Sequence, residues 1–545
     1  MNQRDDAEFT PWPESEAARY RRAGIWRGIA LAEAVHATAV RTPYAPAVSY
    51  RGRTLTHIEL YRRAAELATG FSNLGLASGD RVVLQLANDD LFVPALLGLL
   101  RLGVVPVLAL PSHRHAEITA YCRMTSARAY IAQLGESRAH VGETAQRVVD
   151  ACPELQHIVM CPAAPDDAGP PYVSLSSLVG GPVDFPAVES GATGLLLLSG
   201  GSTGTPKLIP RTHDDYLYSI HASIEVCDFT HETVYLAVLP MGHNFTLSSP
   251  GILGTLVAGG HVVVSPSPAP SVAWPLIEEH EVTVTALVPS LLAMWLRTSE
   301  ADTRERLRSL RTLQVGGARL DPDTARQVFD TLGCQLQQVY GMAEGLVCYT
   351  RTDDSIETIC QTQGRPMSPH DELLVVDDLG SPVPPGHVGE LLTRGPYTIR
   401  GYYRAAAHNA EAFSDQGYYR TGDLVRLTDS GHVVVVGRSK DQINRGGEKI
   451  AAPEIERHLC EHTSVEAAAL VAMPDDVLGE RACAYVVSTD PRLSLPALRG
   501  FLRERGLADH KLPDDLRLLK ALPLTGVGKV DKRALQQLNV TGERP

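Results

Sequence analysis

The 545-residue sequence has no excess of basic charge: 50 Lys+Arg against 63 Asp+Glu leave a formal charge of −13. It therefore offers no strongly basic surface to collect the polyphosphate of DNA or RNA, and nucleic acid is not an expected partner. Its nine cysteines (122, 152, 161, 227, 334, 348, 360, 460 and 483) stand singly, without CxxC pairs or close histidines at metal-ligand spacing. That usage argues against a zinc or disulfide framework and reads as reduced, mostly packed thiols of a cytoplasmic protein. The opening MNQRDDAEFTPWPESEAARY lacks the basic start and apolar stretch of a signal peptide. Only LFVPALLGLLRLGVVPVLALP (91–111) is long enough to imitate a membrane span, and Arg101, Gly103, Pro94 and Pro106 interrupt it. A buried helix ending near Gly103, followed by a buried strand, fits better, so no membrane partner is expected. No internal repeat is present.

What is present is a globular composition, 44% apolar and 21% charged, in a chain too long for one ordinary core. Strand-like runs RVVLQLA (81–87), YIAQL (130–134), HIVMC (157–161), VYLAVLP (234–240), HVVVSP (261–266), VTALVP (284–289) and TLQVGGA (312–318) alternate with helical patterns such as HIELYRRAAELATGFSNLG. The alternation predicts an α/β protein with largely parallel sheets covered by helices on both faces. From DELLVVDD through GHVGELLTRG to GHVVVVGRSKD, short strands between Gly and Pro predict a small antiparallel unit closing a large domain.

Near Gly437 the chain changes character. GRSKDQINRGGEKI is a polar, glycine-containing joint, and beyond it lies a self-contained α+β pattern: APEIERHLCEHT, AAALVAM, RACAYVVS, LPALRGFLRERG. Residues 438–545 hold 17 Lys+Arg and 16 Asp+Glu, leaving 33 against 47 for residues 1–437. A large acidic domain (1–437) and a small, nearly neutral, mobile one (438–545) are expected.

SGGSTGTPK (199–207) follows the apolar run GLLLLS and concentrates glycines, hydroxyls and a lysine. A phosphate-binding loop of the G-x-x-x-x-G-K-[ST] kind opens a helix at its lysine and places a hydroxyl after it. Here Pro206 precedes Lys207 and Leu208 follows, while KLIPRTH reads as a strand. The stretch is instead a hairpin whose backbone N–H groups and hydroxyls can fold over a polyphosphate.

SGGSTGTPK, QVYGMAEG (338–345), YRTGDL (419–424), GRSKDQINRGGEKI (437–450) and LPLTGVGK (522–529), in this order, resemble the core motifs of the adenylate-forming superfamily of acyl-CoA ligases, peptide-synthetase adenylation domains and luciferases. Within it, FTPWPESEAARYRRAGIW, LSGGSTGTPKLIPRTHDDY, LPMGHNFTLSSPG and LLTRGPYTIRGYY are similar to stand-alone aryl acid adenylating enzymes, the 2,3-dihydroxybenzoate:AMP ligases above all. The resemblance implies that a carboxylate attacks the α-phosphorus of ATP, with Mg2+ as cofactor, and that a thiol then displaces AMP.

It also implies roles for particular residues. Lys529 matches the catalytic lysine that bridges carboxylate and α-phosphate, and Lys449 a lysine acting mainly in thiol transfer. Glu344 matches the magnesium-associated carboxylate, Asp423 the acid that holds both ribose hydroxyls, and Arg438 a ribose contact. Ser199, Gly200, Gly201, Ser202, Thr203, Gly204 and Lys207 would wrap the phosphates. Gly316, Gly317 and Ala318 would admit the base, with Tyr340 and Gly341 beside it, and Lys440 sits at the hinge between domains.

Specificity is expected in GHNFTLSSPG. Asn244 corresponds to the residue that hydrogen-bonds a hydroxyl ortho to the carboxylate, and Ser249 to the position that reads a 3-hydroxyl. His243 either lines the carboxylate end or packs, and Val339 and Val347 form apolar walls. Tyr340 and Gly242 depart from the Phe and Ala of the nearest dihydroxybenzoate enzymes. Asn244 and Ser249 favour 2,3-dihydroxybenzoate, while the departures at Tyr340 and Gly242 leave room for a different 3-substituent, with salicylate, 3-hydroxypicolinate and 3-hydroxyanthranilate as alternatives on the same chemistry. The expected partner is a separate phosphopantetheinylated aryl carrier protein. An aryl-CoA ligase and a non-catalytic binding protein are the other readings, the last disfavoured because Lys529, Glu344 and Asp423 are all present.

Overall fold

The computed structural model describes residues 8–133, 138–161, 170–178, 180–181, 183–199, 207–377, 379–438, 442–523, 530 and 532–540. Two large sheets dominate. In the first, Tyr172–Ser174, His157–Cys161, Ala129–Gln133, Arg81–Gln85, Val105–Leu108 and Thr193–Ser199 run parallel, and Lys207–Thr212 closes the edge antiparallel to Thr193–Ser199. In the second, a parallel centre (Gln335–Gly341, Thr312–Gly316, Val284–Leu287, Val234–Ala237, His261–Val264, Pro46–Tyr50) carries antiparallel strands at both ends. The strands expected from apolar runs all appear, each ending within a few residues of its predicted end. The apolar stretch at 91–102 is a helix, Phe92–Leu102, buried on nearly every side, followed by the buried strand Val105–Leu108.

Local signals set where helices begin. Thr56 caps His57–Asn73 in a reciprocal box with Glu59, and Thr212 caps His213–Val226 with Asp215. The two sheets are tied at one end by Asn88. Its Nδ2 donates to the Leu239 carbonyl (2.9 Å), and its Oδ1 accepts from Met241 N (3.0 Å). This tie joins the loop after one parallel strand to the loop after another, so the carboxyl ends of both sets of strands border one crevice. Open α/β sheets bind ligands at such ends.

Glu372–Val376, Val388–Arg394, Tyr419–Leu427 and Val433–Arg438 form the expected antiparallel sheet. Beyond it, Val465–Asp475 pairs with Gly479–Ser488, helices Ala452–Cys460 and Leu495–Glu504 pack on them, and these residues share their own core. One element differs from expectation. QINRGGEKIA, read as a polar joint, is a β-hairpin of Gln442–Arg445 and Glu448–Ala451. Its turn residues Gly446 and Gly447 have φ of 58° and 90°, which two-residue hairpins require and side chains disfavour.

Candidate active site

A cavity of about 740 Å³ opens where the strands of both large sheets end, and the Gly446–Gly447 hairpin closes one side. A Cβ on Gly447 would lie 2.7 Å from Val288, so this backbone approaches as closely as it does only because glycine is there. The C-terminal unit that carries the hairpin is held by a buried charge cluster. Glu117, on the helix His115–Thr125, lies 3.2 Å from the Lys511 ammonium and accepts from Ala508 N, while Lys511 also meets Glu454 at 2.9 Å. With Arg114 facing Asp509 at 3.6 Å, these contacts seat the C-terminal unit with Lys449 lining the cavity.

The cavity brings together most of the residues singled out in the sequence. Ser199, Gly317, Ala318, Tyr340, Gly341, Glu344, Asp423, His243, Asn244, Ser249, Val339, Val347 and Lys449 all line it. Gly316 lies just beneath: a Cβ there would come within 2.7 Å of the Val339 carbonyl and 3.2 Å of the Phe245 ring. Lys207 pairs with Ser199 in the hairpin and meets His408 Nε2 at 2.9 Å. Arg438 stands opposite Asp423 in the ladder. Gly200, Gly201, Ser202, Thr203, Gly204, Lys440 and Lys529 lie outside the described residues.

Glu344 is buried, and one oxygen accepts from the Tyr402 hydroxyl at 2.7 Å; Tyr402 also contacts Tyr419 at 2.8 Å. The loop bearing Glu344 is pinned from both sides: Arg211 donates to the Ala343 carbonyl (3.0 Å), and Ile399 N to the Glu344 carbonyl (2.8 Å). Arg211 is itself buried and paired with Asp215 at 2.6 Å. The Tyr340 hydroxyl donates to Asp423 Oδ2 at 2.7 Å. Arg211 and Tyr402 were not singled out from sequence, although both fall in motif stretches, PRTHDDY and RGYY, whose polar and aromatic density marks them.

At the other end of the cavity, His243 is the N-cap of the short helix Asn244–Ser248, its Nδ1 accepting from Phe245 N at 3.3 Å. Burial, reinforced by the nearby Lys449 charge, pushes His243 down to about 4, so the ring is neutral at pH 7. It therefore both lines the cavity and packs as a cap. Ser249 is buried and meets the Tyr349 phenol, which also bonds Ser223 at 3.0 Å. Val339 and Val347 supply apolar walls, both buried.

A buried carboxylate, a second carboxylate backed by a phenol, and a lysine lining a cavity that also has apolar walls at Val339 and Val347 are the parts of a site for joining a nucleotide to an acid. The family model described as AMP-binding enzyme matches residues 35–403, and that described as AMP-binding enzyme C-terminal domain matches residues 454–529. The chain belongs to the AMP-binding enzyme family and is an adenylating ligase that uses ATP. It is 50% identical over 529 residues to the 2,3-dihydroxybenzoate-AMP ligase of Bacillus subtilis, covering 97% of each chain. It is 44% identical over 544 residues to the salicyl-AMP ligase / salicyl-S-ArCP synthetase of Mycobacterium tuberculosis, covering 98% of this chain and 95% of that one. The apo structure of MbtA from Mycobacterium smegmatis superposes with a TM-score of 0.75 at 44% identity, over 97% of this chain and 99% of that one. No helix among the described residues is long and apolar enough to cross a membrane.

Proposed function

We propose that the protein activates a 2-hydroxylated aryl acid, 2,3-dihydroxybenzoate by preference, as its acyl adenylate, and then passes the acyl group to the phosphopantetheine thiol of a separate aryl carrier protein in the cytoplasm, for siderophore or related peptide synthesis. The observation that carries the acid assignment is that Asn244 and Ser249 line the same cavity as the buried, apolar Val339 and Val347. An amide placed for a 2-hydroxyl and a serine placed for a 3-hydroxyl suit a catechol acid, and the Val339 and Val347 walls suit a flat ring.

In this reading the acid carboxylate points toward the mouth, where ATP lies along the Ser199–Lys207 hairpin with its ribose on Asp423 and its base beside Tyr340 and Gly317. The carboxylate oxygen attacks the α-phosphorus and pyrophosphate leaves. Lys529 neutralises the two anions during that step, and Lys449 serves the later attack of the thiol, with the chain dividing near Gly437–Arg438 and turning about Lys440 between steps. A magnesium ion fits the donor set. Tyr402 engages one oxygen of Glu344, the other finds no partner among the described residues, and a single hard carboxylate plus nucleotide phosphates is how this ion is usually held. When bound it would offset charge on the leaving pyrophosphate.

Acid-dependent exchange of labelled pyrophosphate into ATP, run with 2,3-dihydroxybenzoate, salicylate, 3-hydroxypicolinate and 3-hydroxyanthranilate, tests the assignment. The expected result is a preference for 2,3-dihydroxybenzoate that falls by about tenfold relative to salicylate in Ser249→Cys, because a thiol is a weak hydrogen-bond partner. A preference for a pyridine or aminobenzoate acid would overturn it.

A further inference from the structure

The end of the cavity carries a hydrogen-bond arrangement that no motif contains. Asn244 Oδ1 accepts from the Tyr216 hydroxyl at 2.8 Å and from Ser248 Oγ at 3.1 Å. Tyr216 and Ser248 are both buried, on the separate helices His213–Val226 and Asn244–Ser248. The Asn244 Nδ2 finds no partner among the described residues, and Asn244 lines the cavity. An amide has one accepting end and one donating end, so the Tyr216 phenol on the carbonyl, seconded by Ser248, whose one proton is shared with the Asn244 main-chain carbonyl at 3.4 Å, leaves the NH2 to face whatever occupies the slot.

Reversing the amide would require Tyr216 to accept and to turn its own proton onto Ser248, which lies within reach. A phenol donates better than it accepts, and the Arg211 guanidinium 4.8 Å over the Tyr216 ring strengthens that bias by drawing electron density from it. Arg211 is in turn fixed by Asp215 at 2.6 Å. The amide orientation is thus set from behind by residues that do not themselves border the cavity.

We propose that Tyr216 and Ser248 are positioning residues that lock the Asn244 carboxamide with its NH2 toward the substrate, and that this lock makes the enzyme select an ortho hydroxyl over an ortho amino group. The inference rests on the reading of Asn244 as the residue facing the ortho substituent. The chemistry follows from the acids themselves. In a 2-hydroxybenzoate the phenolic proton bonds the adjacent carboxylate, so the outward face of that oxygen is an acceptor and matches the Asn244 NH2. In a 2-aminobenzoate one N–H bonds the carboxylate and the other points outward, so donor meets donor. An amide free to turn would present its carbonyl to the amine; a locked one does not.

The test is pyrophosphate exchange with salicylate, 2-aminobenzoate and unsubstituted benzoate in the wild type, Tyr216→Phe, Ser248→Ala, the double variant and Asn244→Ala. Each kcat/KM is divided by that for benzoate in the same variant, which cancels any general loss of fold. The double variant is expected to lower the salicylate to 2-aminobenzoate ratio by at least about tenfold, through a higher KM for salicylate and a lower one for 2-aminobenzoate, as sites that pair a specific polar group discriminate strongly. If the ratio is unchanged in the double variant but collapses in Asn244→Ala, the lock is refuted and the role of Asn244 stands. If Asn244→Ala also leaves salicylate unchanged relative to benzoate, the reading of Asn244 fails and the lock with it.

Discussion

The Tyr340 hydroxyl donates to Asp423 Oδ2 at 2.7 Å, joining the end of a strand in the second large sheet to the antiparallel sheet that carries Asp423. The bond fixes the carboxylate proposed to hold the ribose, using one lone pair of one oxygen. Tyr340→Phe keeps the ring but removes this one hydrogen bond to the carboxylate. The expected cost is about 1 kcal/mol, roughly a five-fold loss in kcat/KM for ATP, with the KM for the acid unchanged. Steady-state kinetics in each substrate separately would show it; an equal effect on the acid would contradict the placement.

Glu344 and Tyr402 make a second pair. Glu344→Gln removes the charge that would attract a divalent cation, and roughly a hundred-fold loss in adenylation is expected, partly recovered at high Mg2+. Tyr402→Phe should shift the Mg2+ dependence in the same direction by only a few-fold. A titration of Mg2+ at fixed ATP checks both, and an unchanged half-saturation in Glu344→Gln would remove this residue from the cation site.

The two lysines should separate the half-reactions. Lys529→Ala is expected to cut pyrophosphate exchange by about 10²–10³-fold while sparing thiol transfer from preformed acyl adenylate, and Lys449→Ala to do the reverse. Lys449 lines the cavity in the present arrangement, which fits a role with the C-terminal unit seated as described. Equal losses in both steps for either variant would refute its assignment.

Acid should weaken the fold between pH 6.5 and 4. Burial holds His213, His221, His243 and His261 down at about 4, and His113 and His510 at about 3. Each takes up its proton more readily when unfolded, so its stabilisation is complete above 6.5 and is lost as the pH falls through that range. Asp89 and Asp371, raised by burial to about 6 and about 7, oppose this: the folded protein binds their protons first on acidification. His36 and His57 are also lowered by burial and Glu448 is also raised by it, so eight histidines stand against three carboxylates; the unfolded chain binds more protons, and the melting temperature should fall steadily from pH 6.5 to 4. A flat profile over that interval would show that the histidines are not held neutral.

Much of the scaffold could be read from periodicity. HIVMC is the strand His157–Cys161, and the apolar run from 91 stops at Leu102, before the glycine expected to end it. QINRGGEKIA was not legible as a hairpin, because its strands are short and polar outside Ile443 and Ile450, and their pairing is paid for by docking against Val288 and by a partner strand from Gly479 onward. The edge strand Asp515–Leu519 likewise acquires its form from a neighbour distant in sequence, Gly479–Ser488.

The sequence by itself determined the kind of chemistry. Ordered motifs name the residue types that bind a nucleotide and activate a carboxylate, and local capping and apolar period place them at strand ends and helix starts. Only the tertiary structure decided how those side chains face. Tyr402 behind Glu344, Tyr340 on Asp423, and Tyr216 with Ser248 behind Asn244 lie 58, 83, 28 and 4 residues from their partners. Of these, only the last spacing is a helix turn that a linear pattern can express. Hydrogen-bond direction depends on distance and angle in space, and packing of separate elements sets both.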